Sequence, residues 1–162
     1  MEVSTPACAA ILHRDGAHLT SWIPAGGDDL LWTSAEAVHA EGAAIRGGIP
    51  LIGPWFGPGR DGRTSPAHGW LRTHRWDLIA AHRGDSDAGG AVHGDGDVVT
   101  LELELRGADP TGQGTSAALA VVLSRESLQV TLTVTAGTEP LVLEAALHTY
   151  LAVSDVRAIE LE

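Results

Sequence analysis

With 162 residues, the chain is long enough for one domain with a sizeable core, since 44% of its residues are hydrophobic and only 19% are charged. Its net charge of −11 disfavours nucleic acid as a partner, because an acidic surface repels phosphates. No apolar run approaches the roughly 20 residues of a membrane span and the first residues lack a signal-peptide pattern, so we expect a cytoplasmic protein with no membrane partner.

The N-terminal part of the chain predicts a β-hairpin. Residues 7–12 and 18–23 are short and rich in apolar side chains, and the Arg-Asp-Gly sequence between them favours a tight turn. A third short strand is predicted at residues 30–33. Residues 34–42 are acidic and rich in alanine, which favours one helical turn.

Residues 46–76 predict a long ordered loop. Seven glycines and four prolines forbid a regular helix there and limit strands to short pieces. Loops of this length are uncommon inside a compact domain unless they build a site. This loop also carries His68 and several large aromatic rings, which are groups that binding sites use.

Arginine makes the same loop a positive island in an acidic chain, with Asp61 as its single acidic residue. The planar fork of donors in arginine suits carboxylate or phosphate, so the cluster favours a small anionic ligand. Solvated loop charges are an equally good interpretation of three of the arginines and a poorer one of Arg46 and Arg72, which adjoin tight or apolar sequence. The five are Arg46, Arg60, Arg63, Arg72 and Arg75.

The rest of the chain predicts strands. Residues 99–105 and 128–135 alternate apolar and polar side chains, which is typical of a half-buried strand. Residues 83–97 are rich in glycine and aspartate but lack the spacing of a calcium loop, so a solvated hairpin tip is expected. No helical period is sustained, and an all-β antiparallel sandwich is predicted. Further strands are predicted at residues 76–81, 117–123 and 141–153, the last of them interior, with another beginning at 156.

Several linked motifs in the chain resemble the glucose-6-phosphate 1-epimerase (hexose-phosphate mutarotase) branch of the aldose 1-epimerase superfamily. The resemblance runs from about residue 18 to 77 and again from 141 to 155. It implies a galactose-mutarotase-like β-sandwich with its site in a cleft across one sheet. The motifs are Arg46-Gly-Gly-Ile-Pro, Pro54-Trp-Phe-Gly, Pro66-Ala-His-Gly, Ala146-Leu-His-Thr-Tyr and Val153-Ser-Asp.

The resemblance implies interconversion of the α and β anomers of a hexose 6-phosphate, a small-molecule partner, without a cofactor. Ring opening needs a base at the anomeric hydroxyl and an acid at the ring oxygen, and histidine serves as an acid near neutral pH. The family's general acid corresponds to His148. From the sequence alone, a satisfied core histidine is the safer interpretation of that residue, and the resemblance reverses the preference.

The same resemblance assigns the remaining site residues. His68 would bind a sugar hydroxyl, and Arg46 and Arg72 would bind the phosphate. Trp55 and Phe56 are expected to stack on the sugar, as is Trp70, and core packing is the alternative for each of these rings.

The sequence departs from the family pattern in two places. Ala67 replaces a glutamine that often binds a sugar hydroxyl, and alanine cannot do so. The chain also ends at Glu162, where family members continue through a second half of the sandwich that supplies the catalytic glutamate and a substrate-binding aspartate. No glutamate here stands in the context of that base.

We therefore expect residues 1–162 to form a single, incomplete sandwich domain with its site loop at 46–76. Uncovered sheet edges would favour self-association. The alternatives to an active epimerase are a catalytically inactive sugar-phosphate-binding module and a partially folded remnant. A metal site is disfavoured, because the eight histidines lack ligand spacing and the single cysteine, Cys8, is remote from them.

Overall fold

The computed structural model describes residues 1–84 and 97–160 and is all-β, as predicted. Two short 3-10 helices, Leu71–Thr73 and Val156–Ala158, interrupt the strands, and no helix in the described residues is long and apolar enough to cross a membrane. The strands are β1 (Glu2–Ser4), β2 (Cys8–His13), β3 (His18–Pro24), β4 (Leu51–Ile52), β5 (Asp77–Gly84), β6 (Val98–Leu105), β7 (Ser116–Leu123), β8 (Leu128–Thr135) and β9 (Ala146–Leu147).

The predicted N-terminal hairpin is confirmed. Strands β2 and β3 pair antiparallel, with a bulge between Ile11 and Leu12, and β1 pairs with the other edge of β2. The turn is closed by the amide of Ala17, which donates to the carbonyl oxygen of Arg14 over 3.2 Å. The hairpin thus places β3, the strand on which the site loop later packs, at an edge of a three-stranded sheet.

Strands β5 to β8 form a four-stranded antiparallel meander in sequence order. From Val99 onward in β6 and throughout β7, every second residue is buried, as the alternation of apolar and polar residues in β6 predicts. These inward side chains share one core with β2, β3 and the fully buried rings of Trp70 and Trp76. Trp70 and Trp76, which belong to the site loop, therefore anchor that loop in the core shared by the two sheets.

A third group of strands carries the site. Strand β4 pairs with β9, and isolated bridges join Leu31 to Leu151 and Thr33 to Gly47. The predicted strand at residues 30–33 is thus reduced to two single bridges. Residues 34–42 form turns instead of the predicted helical turn, beginning where the Ser34 hydroxyl accepts the amide of Glu36 over 3.2 Å.

The prediction of an interior strand at residues 141–153 is wrong. Only Ala146–Leu147 forms a strand, and Leu151 is 58% exposed, because no described segment covers the outer side of this stretch. The prediction of a new strand from residue 156 is also wrong. The Asp155 side chain accepts the amide of Arg157 and starts the short 3-10 helix there. The predicted hairpin tip at 83–97 lies largely outside the described residues.

Backbone approaches β3 closely at Gly48, where φ is +61°. A Cβ there would lie 2.2 Å from the carbonyl oxygen of Leu19 in β3, so no side chain fits without moving backbone. Gly42 has a similar φ of +75° and open space around it. We expect Gly42→Ala to cost about 1 kcal/mol of unfolding free energy and Gly48→Ala about 3 kcal/mol, because only the second adds a backbone clash to the conformational strain.

Urea denaturation followed by tryptophan fluorescence measures both losses. Equal destabilisation by the two substitutions would contradict the close packing of Gly48 on β3.

Candidate functional site

The site loop is closed upon itself by backbone hydrogen bonds. Gly53 and Gly69 form a parallel bridge, the Gly53 amide donates to the His68 carbonyl oxygen, and the Leu71 amide donates to the Gly53 carbonyl oxygen. The segment between the two glycines therefore protrudes as an ordered lobe, as the sequence predicts for a loop that builds a site.

His68 is fixed at the base of this lobe by two bonds to one residue. Its amide donates to the Gly57 carbonyl oxygen over 2.7 Å, and its Nδ1 accepts the Gly57 amide over 3.2 Å. Because Nδ1 is an acceptor, the neutral ring carries its proton on Nε2 and can donate it to a ligand. The ring of Phe56, which is 47% exposed, stands edge-on to it at 4.8 Å between centroids.

Arg72 lies next to His68 and is only partly satisfied. The guanidinium donates through one terminal nitrogen to the Ala67 carbonyl oxygen over 3.0 Å. Its Nε is buried and finds no acceptor among residues 1–84 and 97–160. Burial lowers the pKa of Arg72 below its usual value, and the neighbouring Tyr150 acts in the opposite direction.

His148 belongs to the same neighbourhood. Its ring lies 5.0 Å from the ring of Tyr150, centroid to centroid, and its amide donates to the Pro50 carbonyl oxygen over 3.1 Å. Desolvation lowers the pKa of His68, and the charges of Arg72 and then His148 lower it further. These three predicted residues and Tyr150 therefore lie together, and we call the four residues the site cluster.

Glu144 ties the lobe to the segment that carries His148. Its Oε2 accepts the amide of Phe56 over 3.1 Å and its Oε1 accepts Nε of Arg60 over 3.0 Å. The bond from the Phe56 amide, followed by the bond from Arg60, holds the pKa of this carboxyl below its usual range. Sequence reasoning found no role for Glu144, because nothing in its local sequence signals a partner more than 80 residues away.

The other arginines of the positive island divide into two groups. Arg60 pairs with Glu144 and Arg75 pairs with Asp15, so both have structural partners. The exposed side chains of Arg46 and Arg63 make no hydrogen bond or ion pair within the described part of the chain. Arg46 precedes the Gly47-Gly48 turn, whose second carbonyl oxygen accepts the Tyr150 amide.

The predicted aromatic contacts are also divided. Trp70 is 1% exposed and packs in the core, so it cannot stack on the sugar. Trp55 is half-buried against the core and donates its indole N–H to the Pro66 carbonyl oxygen over 2.8 Å. Phe56 is therefore the most exposed of the three rings and stands beside His68.

A buried histidine that the sequence analysis missed supports the turn after Arg46. Nε2 of His18, on β3, lies 2.6 Å from the Gly47 carbonyl oxygen, and the ring is fully buried. Burial lowers the pKa of His18 to about 4, against an opposing effect of the Gly47 bond, and nearby His13 and His39 lower it further. The neutral ring thus donates to Gly47 from within the core. An apolar neighbourhood in β3 is the signal that could have indicated its burial.

With the geometry in place, comparison with known proteins gives one family. The family profile described as Aldose 1-epimerase matches residues 1–162. Two curated proteins named "Putative glucose-6-phosphate 1-epimerase" are similar to the chain. The one from Escherichia coli is 38% identical over 109 residues, which cover 67% of this chain and 33% of that protein. The one from Haemophilus influenzae is 32% identical over 142 residues, covering 83% and 41%.

Solved structures agree with this fold. The crystal structure of a "putative mutarotase (YeaD)" from Salmonella typhimurium superposes with a TM-score of 0.70 at 28% identity, covering 83% of this chain and 42% of that one. The structure of HI1317 gives 0.70 at 31% identity, covering 95% and 49%. The chain therefore spans about a third to a half of the length of the relatives it matches.

The buried state of His18 predicts a pH dependence of stability. Between pH 6.5 and about 4 the unfolded chain binds a proton at this residue that the folded chain excludes. The unfolding free energy should therefore fall as the pH falls through this window, by on the order of 3 kcal/mol from this group. His18→Gln keeps an N–H donor but does not titrate, so its unfolding free energy should depend less on pH.

Urea unfolding at pH 7, 5.5 and 4.5 tests this expectation. Replacing the exposed His82 with glutamine serves as the matched control and should leave the pH dependence of the natural chain unchanged. If His18→Gln and the natural chain lost stability in parallel, the buried neutral imidazole would be refuted.

Proposed function

Because the chain belongs to the aldose 1-epimerase family, we propose that it interconverts the α and β anomers of a hexose 6-phosphate by acid–base ring opening. The observation that carries the proposal is the site cluster. Arg72 donates to the Ala67 carbonyl oxygen beside His68, the ring of His148 lies 5.0 Å from that of Tyr150, and the charges of Arg72 and His148 both act on His68. The two imidazoles can form hydrogen bonds to sugar hydroxyls, and the guanidinium can bind an anion. The exposed aromatic ring beside them offers an apolar surface.

The proposed reaction moves two protons. A base takes the proton of the anomeric hydroxyl while His148 delivers one to the ring oxygen, so that the bond between C1 and the ring oxygen breaks and an aldehyde forms. Rotation about C1–C2 followed by the reverse transfers closes the ring as the other anomer. His68, with Nε2–H free to donate, would hold a sugar hydroxyl during both steps.

Arg72 is the proposed phosphate ligand. Its guanidinium makes one hydrogen bond in the described part of the chain, from a terminal nitrogen to the Ala67 carbonyl oxygen, which leaves other terminal donors for a ligand. No carboxylate pairs with this guanidinium in the part of the chain that the structure describes. Arg46, which also lacks such a partner, would contribute a second positive charge.

The base is proposed to come from outside the residues described here. Glu144 is the carboxylate that lies against the loop, but both of its oxygens already accept hydrogen bonds, from Phe56 and Arg60. Those bonds hold its pKa low, which makes it a weak proton acceptor. Binding of hexose phosphate without turnover would instead indicate a sugar-phosphate-binding module.

Saturation-transfer NMR on the anomeric protons of glucose 6-phosphate tests the activity. With the base outside the described residues, water is left to take the anomeric proton, so we expect the chain to exchange the two anomers only modestly faster than buffer does. His148→Ala should return exchange to the buffer rate because the acid is lost. His82→Ala, a substitution of an exposed histidine on β5, should retain the exchange. Exchange at the buffer rate in the natural chain would rule out catalysis by it.

Calorimetry with glucose 6-phosphate and with glucose tests the phosphate ligand. Charge-assisted hydrogen bonds contribute roughly 1.5–3 kcal/mol, so Arg72→Ala should weaken binding of the phosphate ester by about ten- to a hundred-fold. Binding of glucose should change much less. Arg63→Ala removes an exposed loop arginine and should leave both affinities in place; equal losses for ester and glucose in Arg72→Ala would show that the arginine only supports the loop.

A further inference from the structure

Trp32 is a large aromatic residue beside the site, to which the sequence analysis assigned no role. Its side chain is 43% exposed, whereas Trp70 and Trp76 are buried in the core. The centroid of its ring lies 5.9 Å from that of Tyr150, which lies 5.0 Å from that of His148. A row of three rings therefore leads from the proposed acid to solvent, and Trp32 is its outer end.

Backbone pairing places these three rings on one face. The bridge between Leu31 and Leu151 is antiparallel, and the amide of Trp32 donates to the Tyr150 carbonyl oxygen over 2.9 Å. Residues opposite each other in such a pair share a face, and so do residues two apart in an extended segment. The two leucines of the bridge line a cavity whose walls do not include the three rings. The row therefore belongs to the face that carries His148 and the rest of the site cluster.

The backbone around Trp32 is held by several close contacts. Its carbonyl oxygen accepts the Gly48 amide over 2.8 Å, and the hydroxyl of Thr33 donates to the Thr20 carbonyl oxygen in β3 over 2.9 Å. Gly47 packs so closely that a Cβ there would lie 2.5 Å from the Trp32 carbonyl oxygen. A ring on such a support is already in position for a ligand, which lowers the entropic cost of binding.

The indole of Trp32 offers two kinds of contact. Its faces are apolar, and its N–H makes no hydrogen bond to any residue in the part of the chain that the structure describes. A pyranose carries C–H groups on the faces of its ring and hydroxyls around its rim. Such a sugar can therefore stack on the indole while one of its hydroxyls accepts the indole N–H.

We propose that Trp32 is a sugar-binding residue, whose indole stacks on the pyranose ring of the substrate and donates its N–H to a hydroxyl. It takes the part that was expected of Trp70, which lies in the core instead. Because the contact is to the sugar ring, it acts on phosphorylated and free hexoses alike, in contrast to Arg72. This role rests on the proposed function, since it adds a residue to the same site.

Calorimetry with glucose 6-phosphate and with glucose tests the role. Trp32→Ala should weaken binding of both sugars by about ten-fold, because the apolar platform is lost. Trp32→Phe keeps an aromatic face and should stay within about three-fold of the natural chain. Ile79→Ala removes an exposed apolar side chain from the outer face of the β5–β8 sheet, and as the matched control it should leave both affinities in place.

Tryptophan fluorescence gives an independent readout. Trp32 is the most exposed of the five tryptophans, so a sugar that covers it should shift the emission of the natural chain to shorter wavelength. The shift should be largely lost in Trp32→Phe, measured at a concentration of glucose 6-phosphate that saturates this variant.

The outcomes separate the role of Trp32 from the chemistry. Unchanged affinities in Trp32→Ala, or a spectral shift undiminished in Trp32→Phe, would overturn the role and leave the proposed function standing. A loss of affinity for the phosphate ester alone would also overturn it, because the contact would then not be to the sugar ring. Binding that depends on Trp32 without anomer exchange would keep the role and contradict the epimerase activity. A natural chain that bound neither sugar would overturn both.

Discussion

Two adjacent glycines, Gly47 and Gly48, join the site to the scaffold. The Gly47 carbonyl oxygen is bound by His18 from the core, and the Gly48 amide and carbonyl oxygen bond to Trp32 and Tyr150. Gly48 can approach β3 so closely only because it lacks a Cβ. Three segments that are far apart in the chain therefore meet at this turn, and the positions of Arg46 and of the site cluster both depend on it.

Electrostatics distinguishes the arginines that have carboxylate partners from those that we propose bind a ligand. Arg60 and Arg75 have carboxylate partners at the surface, where such pairs contribute little to stability. Arg72 instead keeps a half-buried guanidinium with an unsatisfied Nε beside two histidines. A cation held without a counter-ion costs stability, and the proposed anion would bind its remaining terminal donors.

Local pattern predicted much of the scaffold. The alternation in β6 and β8 and the turn after β2 depend on neighbouring residues, so the sequence reveals them. The continuous apolar run near Leu147 was wrongly predicted to be an interior strand. Its composition is typical of a covered strand, but no described residue covers its outer side. Periodicity reports which side chains avoid water and cannot identify what they pack against.

The site was predictable only in part, for a related reason. The glycines and arginines of residues 46–76 indicated a binding loop, but the meeting of His68 with His148 came from the family resemblance. His18 and Glu144 were missed because each acts through a hydrogen bond to backbone that is far away in the sequence. No local sequence pattern indicates such a contact. Trp70 illustrates the converse, since its sequence context suits a binding residue and a core residue equally well.

The bond between Glu144 and the Phe56 amide spans 88 residues and determines when the site can assemble during synthesis. The N-terminal hairpin needs only its own neighbouring residues and can form as soon as it leaves the ribosome. The lobe around His68, in contrast, has no anchor until the segment from Glu144 to Tyr150 has emerged and paired with β4. Contacts of such long range are slow to form, so we expect the scaffold to fold first and the binding loop to be ordered only once the segment from Glu144 to Tyr150 has been synthesised.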